Sequence, residues 1–253
     1  MSILSMQETK GLISIVIATY NAERYLLKCL ESIRSQRFKN IEIIVIDGGS
    51  KDATISILKS FNHSSLLFIS EPDLGIYDAL NKGVKRAKGD WLYFLGSDDF
   101  LLEGFSDFAE KLKNSKAIYY GNSESHYSGT VKPTYEILKG RFTSYRLTKY
   151  CMNHQSIIYP SSIFKYYHYD LRYKVFADYA LNLVLWGDRS YKKIHLPIFI
   201  VDYNMDGFSS ITSDERFLRD KPKIIRKHMG LLIYLRYMFR RYKRRRRGYI
   251  DYG

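Results

Sequence analysis

Ile41-Glu42-Ile43-Ile44-Val45-Ile46-Asp47-Gly48-Gly49-Ser50-Lys51-Asp52-Ala53-Thr54 holds the pattern on which the fold turns. Six residues, five of them β-branched and apolar, stop abruptly at a carboxylate, two glycines and a serine. A short apolar run bounded by turn residues predicts a strand buried on both faces. The same grammar recurs on either side. Leu12 to Thr19 predicts a buried strand closed by Tyr20-Asn21, with Asn21 placed to cap a helix carrying Leu26, Leu27, Leu30 and Ile33. Leu66 to Ile69 and Trp91 to Leu95 predict two more strands. Helical spacing of Ile76, Leu80, Val84 and Ala87 predicts a helix between them, and another helix is expected from Leu102.

Strand and helix thus alternate four times in about 100 residues, which predicts parallel pairing with helices on both faces of the sheet. Beyond residue 100 the pattern loosens. Ala117 to Tyr120, Ser156 to Tyr159 and Lys193 to Val201 read as strands, and Val175 to Leu185 as a helix.

Polar clusters follow each strand, where open α/β sheets bind their ligands. Asp47 stands beside Gly48, Ser50, Asp52 and Thr54. Glu71-Pro72-Asp73-Leu74-Gly75 follows the third strand, and Gly96-Ser97-Asp98-Asp99 the fourth. Adjacent carboxylates repel unless a cation offsets them. Asp98-Asp99 therefore reads either as a cap on the next helix or as a site for a divalent ion bridging to a diphosphate. Asp47 reads either as a turn-former or as an acceptor for ribose or base donors. Asp78 and Asn81 lie one turn apart on the polar side of their helix. No Gly-x-Gly-x-x-Gly follows the first strand, no Gly-x-x-x-x-Gly-Lys-Ser/Thr loop occurs, and no His-Glu-x-x-His or Cys-x-x-Cys suggests zinc.

Four stretches, taken in order, resemble the family 2 glycosyltransferases of GT-A fold. They are Ser14 to Asn21, Ile41 to Thr54, Glu71 to Gly83 and Gly89 to Asp99, with strong likeness to bacterial surface-polysaccharide enzymes of the O-antigen, capsule and colanic-acid type. The resemblance implies an α/β, Rossmann-like, mostly parallel sheet. It also implies inverting transfer of a hexosyl or N-acetylhexosaminyl group from a nucleotide diphosphate sugar, a UDP-sugar by preference, with Mn2+ or Mg2+. It places Thr19, Tyr20, Asn21, Asp47, Gly48, Ser50, Asp73, Asp78, Asn81 and Lys82 around the donor. Asp98 and Asp99 hold the metal, with Asp98 the principal ligand and Gly96 standing where many relatives have a further aspartate. Phe176-Ala177-Asp178-Tyr179 resembles the segment bearing the family's base, which makes Asp178 the catalytic candidate, with Asp170 and Asp188 as weaker alternatives. His154-Gln155 resembles an element near acceptor and diphosphate, with His154 the binding candidate. Asn204 and Ser209 belong to a late loop that closes over the donor phosphates. Two other readings stay open, a nucleotidyltransferase that makes sugar nucleotides and a non-catalytic membrane-associated partner that binds them.

Charge is confined to one end. Twelve of the 40 Lys and Arg lie between Lys221 and Arg247, where Asp and Glu are absent; the remainder has 28 basic against 26 acidic residues. This divides the chain into a catalytic domain (1–212; donor half 12–100, acceptor side 101–212) and a helical basic tail (213–253). Leu231, Leu232, Leu235, Met238, Phe239 and Tyr242 fall on one helical face, with Arg236, Arg240, Lys243, Arg244 and Arg247 on the other. Such a helix suits an anionic membrane surface, each basic residue adding about 1 kcal/mol there. Leu231, Leu235, Arg236, Phe239, Arg240 and Arg244 are the expected contacts, and the rival reading has the apolar face packed on the domain. The near-neutral body, without a recognition module, argues against nucleic acid. No signal peptide is apparent, and with only Cys29 and Cys151 the expectation is a cytoplasmic enzyme held peripherally at the inner face of a bacterial inner membrane, with a polyprenyl-diphosphate-linked saccharide as acceptor.

Overall fold

The computed structural model describes residues 11–126, 139–205 and 214–248. Its centre is strand β1 (Ile13–Thr19), flanked in parallel by β2 (Ile41–Asp47) and β4 (Trp91–Gly96), with β3 (Leu66–Ser70) outside β2. Helices α1 (Leu26–Arg34), α2 (Thr54–Ser60) and α3 (Ile76–Val84) make the crossovers. β1 is covered on both faces, so alternate residues enter two cores. Ile13, Ile15 and Ile17 pack with Leu26, Cys29, Leu30 and Ile33 of α1, while Val16 turns toward Leu80 of α3. Each such side chain contributes roughly 1.5–3 kcal/mol by leaving water.

The sheet extends to eight strands in the order β3-β2-β1-β4-β7-β6-β8-β5. β7 (Ile157–Pro160) runs antiparallel to β4 and to β6 (Ala117–His126), while β8 (Lys192–Asn204) is parallel to β6. The sheet is mixed, with four parallel pairings against three antiparallel, and the antiparallel ones all fall beyond β4. β5 (Phe100–Leu101) is too short to read from sequence and pairs with β8 a hundred residues later. It delays the helix expected from Leu102, so that α4 spans Gly104–Ala109.

Helix α5 (Ser144–Leu147) and the 3-10 turns His154–Ser156 and Ser161–Lys165 lead to α6 (Ala177–Gly187), most of which is buried. Helix α7 (Glu215–Met229) packs on α6, and α8 (Leu231–Arg246) follows at Gly230. Phe217, Lys221 and Ile225 of α7 and Tyr237 of α8 are buried in the second core. Both helices of the expected basic tail are thus joined to the catalytic body, α8 through Tyr237 and its neighbours and not through the apolar face read from sequence.

Candidate active site

Strand register aligns the chemistry. Thr19 pairs with Asp47, Ala18 with Gly96, and Asp47 with Ser70, so the polar loops leave one edge of the sheet together. The Thr19 hydroxyl is buried there without a hydrogen-bond partner among the described residues.

Asp47 is fully buried. Its carboxylate accepts the Gly49 N–H at 3.0 Å, the Ser50 N–H at 2.9 Å, the Ser70 hydroxyl at 2.6 Å, and the Ser50 hydroxyl. Burial alone would raise its pKa, but the bonds from Ser50, Ser70 and Gly49 outweigh burial and hold the carboxyl below its usual range. Asp47 is thus the turn-former that its sequence also allowed, shaping the loop from beneath. The capping expectation for Asn21 is corrected. Asn21 adopts φ 49°, accepts the Lys51 N–H at 2.9 Å and donates its own N–H to Ser50 Oγ at 2.8 Å. Helix α1 begins after Tyr25, with no side-chain cap. Asn21 therefore ties the first two loops together.

The open part of this edge is Tyr20, Gly48 and Asp73. A Cβ at position 48 would lie 2.6 Å from Asp73 Oδ2 and 3.4 Å from the Tyr20 ring, so a bare glycine lets three loops converge. The Tyr20 ring is 63% exposed beside them. The α3 residues behave differently from expectation. Asn81 accepts the Tyr169 N–H and donates to its carbonyl, at 3.0 and 2.9 Å, in the manner of a neighbouring backbone. Lys82 pairs with Glu71 at 3.0 Å and Asp78 at 3.4 Å and donates to the Pro72 carbonyl, while Asp78 accepts the Leu74 N–H. Asp78 and Lys82 thus hold the Glu71–Gly75 loop in place, and Asn81 fastens α3 to the Tyr169 backbone.

The fourth strand end carries two unlike aspartates. Asp98 is half-buried and accepts the Asn204 side-chain amide at 3.1 Å. Asp99 turns inward, 1% exposed, and takes the Asn204 N–H at 2.7 Å and the Gln155 amide. Burial first, and then the Asp98 charge, push the Asp99 carboxyl up to about 8. Asp99 is thus a buried acid engaged within the turn, and Asp98 is the more reachable of the pair. A Cβ at Gly96 would strike the Asp99 carboxylate and come within 2.9 Å of Gln155 Nε2, so Asp99 fills the room that a side chain at 96 would need. Asn204 binds the acidic turn itself; Ser209 lies outside the described residues.

Gln155, which with His154 resembles an element near acceptor and diphosphate, joins this turn to the rest of the site. The 3-10 turn sends Gln155 to Asp99 and its neighbour His154 to Asp178, with His154 Nδ1 at 3.2 Å from Asp178 Oδ2. Asp178 opens α6, is 7% exposed, and accepts the Tyr77 hydroxyl at 2.8 Å on Oδ1. The other two carboxylates considered for its role lie apart. Asp170 is bound at 2.6 Å by Arg172, and Asp188 receives the Ser190 N–H and the Tyr167 hydroxyl. One connected network therefore runs from Asp98 through Asn204, Asp99, Gln155 and His154 to Asp178 and Tyr77. No three His, Cys, Asp or Glu side chains gather as a ready metal cage among the described residues.

The sequence profile of the family described as Glycosyl transferase family 2 matches residues 14–176, a span that reaches from the first strand to the threshold of α6. The chain belongs to glycosyl transferase family 2. Among its relatives is a PGL/p-HBAD biosynthesis glycosyltransferase of Mycobacterium bovis (strain BCG / Pasteur 1173P2), 33% identical over 88% of each chain. Its fold resembles that of S. aureus TarS, with a TM-score of 0.67 at 21% identity over 84% of this chain and 39% of that one. It also resembles the mannosyltransferase PcManGT from Pyrobaculum calidifontis in complex with GDP-Man and Mn2+, with a TM-score of 0.59 at 13% identity over 92% of this chain and 65% of that one. The GT-A-like fold expected from the motifs is thus present, and as a family 2 glycosyltransferase the chain is an enzyme. That sets aside the nucleotidyltransferase and non-catalytic readings.

On α8 of this glycosyltransferase, Ile233, Tyr234 and Met238 pack partly inward beside Tyr237. Leu231, Leu232, Leu235, Phe239 and Tyr242 remain more than half exposed. Met238 therefore leaves the outward stripe on which sequence had placed it. Arg236 lies 3.9 Å from the centre of the Tyr145 ring and Arg240 5.8 Å from that of Tyr150, at the edges of the stripe. Arg244 is partly buried on the same helix. No helix among the described residues is long and apolar enough to cross a membrane.

Proposed function

We propose that this glycosyltransferase moves a sugar, with inversion, from a nucleoside diphosphate sugar to a hydroxyl of a lipid-linked saccharide at an anionic membrane surface, in surface polysaccharide or glycolipid assembly. The observation that carries this reading is the His154–Gln155 turn, which ties the acidic strand end to a nearly buried carboxylate. A departing diphosphate needs positive charge, and an attacking hydroxyl needs a base; one turn supports both ends.

Tyr20, Gly48 and Asp73 line the open edge for the nucleoside, with the Thr19 hydroxyl, unpaired among the described residues, beneath. A divalent ion fits the acidic end. Asp98 is a reachable carboxylate beside a second one that burial and like charge keep from ionising. One protein carboxylate with phosphate and water oxygens is an ordinary arrangement for Mg2+ or Mn2+. When bound, the ion supplies charge that stabilises the leaving nucleoside diphosphate. Asp178 takes the proton from the acceptor hydroxyl as its oxygen attacks the anomeric carbon and the bond to diphosphate breaks. His154 fixes the second carboxylate oxygen. The α8 stripe, with Arg236, Arg240 and Arg244 on its helix, rests on acidic phospholipid and brings the acceptor within reach.

A panel of nucleotide sugars with Mn2+ should reveal one that raises the melting temperature and is turned over with a lipid-linked acceptor. Asp178→Asn should lower transfer at least about 10²-fold while leaving the donor-dependent melting shift intact. Undiminished transfer by that variant would remove Asp178 as base. Turnover that is the same in chelator would remove the metal.

A further inference from the structure

Around Asp178 a single hydrogen faces two acceptors. Tyr77 sits in the first turn of α3, 7% exposed, with its ring 5.3 Å from that of Tyr169. Its hydroxyl contacts both Asp178 Oδ1, at 2.8 Å, and the Val175 carbonyl. A phenol carries one hydrogen and also accepts; a carbonyl only accepts. While Asp178 is ionised, the phenol serves it as donor. Once Asp178 is protonated, the acid has a hydrogen to give, Tyr77 Oη can receive it, and the phenol turns its own hydrogen to Val175. Either state is satisfied by rotating one O–H bond, with no heavy atom moved.

The geometry points to Tyr77 as the positioning residue that serves Asp178 both as carboxylate and as the acid formed during transfer. The inference rests on the reading of Asp178 as base. In the step itself the acceptor O–H bond breaks, its oxygen bonds to the anomeric carbon, the diphosphate leaves with the electron pair of the broken bond, and the proton stays on Asp178. The Tyr77–Asp178 hydrogen bond then reverses direction.

Two further observations support this. Residue Val175 is anchored on its other side, where its N–H donates at 3.1 Å to Asp214, which also caps α7 through the Phe217 N–H. Burial, followed by the Asp178 charge, raises the Tyr77 phenol well above its usual value, so it keeps its hydrogen. The other titratable groups facing Asp178 are His154 from the 3-10 turn, Tyr159 from β7, and Tyr169 and Cys151 from the adjoining loops. Lys221 of α7 acts on Cys151 in the opposite sense to Asp178. Tyr159 is occupied with Asn182.

The test compares the full chain with Tyr77→Phe and with 3-fluorotyrosine inserted at position 77, using the donor and acceptor found above. Phenylalanine keeps the ring and removes the hydrogen bond. Expected are a roughly 10–100-fold fall in kcat, a donor KM within about two-fold, and an acid limb of the kcat/KM profile moved up by about one pH unit. Fluorotyrosine, a more acidic and stronger donor, should move that limb downward. A role in packing alone predicts no such opposite displacement. Unchanged kcat and an unmoved limb in Tyr77→Phe, alongside an inactive Asp178→Asn, would overturn the role of Tyr77 and spare the base. An active Asp178→Asn would overturn both. Should the phenylalanine variant fail to fold, the fluorotyrosine limb decides alone: downward supports the inference, unmoved rejects it.

Discussion

Asp47 and Asp99 end two strands of one sheet edge, and both are almost completely hidden from water, yet they titrate in opposite directions. The Asp47 carboxylate collects four hydrogen bonds, from two backbone N–H groups and two serine hydroxyls. The Asp99 carboxylate collects two, from Asn204 and Gln155, and has Asp98 beside it. Asp99 also lies deeper in the protein, so burial weighs more heavily on it. Fewer donors and a like charge beside it widen the difference. The loop after β2 is thereby a rigid support built on an ionised carboxylate. The loop after β4 is an electrostatically tense one that a cation would relax.

The most severe way to break this contrast is Asp98→Asn. It removes the like charge beside Asp99 and, on the reading above, the reachable ligand for the ion. The amide oxygen can still accept from Asn204, so the fold should survive. Turnover should fall at least about 10³-fold at saturating donor, a loss of roughly 4 kcal/mol in transition-state stabilisation. Asp99 should then titrate nearer the ordinary carboxylate range. Wild-type turnover in a folded Asp98→Asn enzyme would leave the tension without a catalytic purpose.

A smaller effect is expected at the other end of the contrast. Asp47→Asn keeps the shape but puts an NH2 where donors already converge. Stability should drop by about 3 kcal/mol at pH 7, read by urea unfolding. The pH dependence has a definite sign. Since the folded carboxyl is held below its usual range, its stabilisation is present above the unfolded pKa, near 4, and is lost as pH falls through the folded value. The gap between wild type and variant should therefore close in acid. A constant gap down to pH 3 would mean that the charge of Asp47 contributes nothing.

How much of this was legible beforehand differs between the halves. The four parallel strands could be read because β-branched runs end at Gly, Asp and Ser, and those endings fell in register. The fates of the aspartates could not, since Asp47 and Asp99 both read as acidic residues in polar turns. What separates them is Ser70, Gln155 and Asn204, the last 105 residues from Asp99. Tyr77 and His154 meet Asp178 from 101 and 24 positions away, and no local pattern announces that meeting. Helix α7 falls within the stretch 213–253 expected to be helical, but its packing on the body was not legible. Only Phe217, Lys221 and Ile225, one residue per turn, are buried, and a majority of charged neighbours conceals so thin a stripe.

The finest distinction left to test is the pH dependence that Asp99 imposes. Its folded carboxyl, pushed up to about 8, retains a proton between pH 4 and 8 that the unfolded chain has already released. The unfolded state binds fewer protons in that window, so stability falls as pH rises, by at most about 1.4 kcal/mol per unit, and levels off above the folded value. This is opposite in sign to Asp47 and lies in a separate window, so the two contributions can be resolved in one titration of unfolding free energy. Asp99→Asn should flatten the curve between pH 5 and 8 and leave the acid limb below pH 4 in place. Saturating Mn2+ with donor should flatten it in the wild-type enzyme too, because positive charge at Asp98 lets Asp99 ionise. If the slope survives in Asp99→Asn, the proton belongs to another group, and the difference between the two strand ends is one of shape alone.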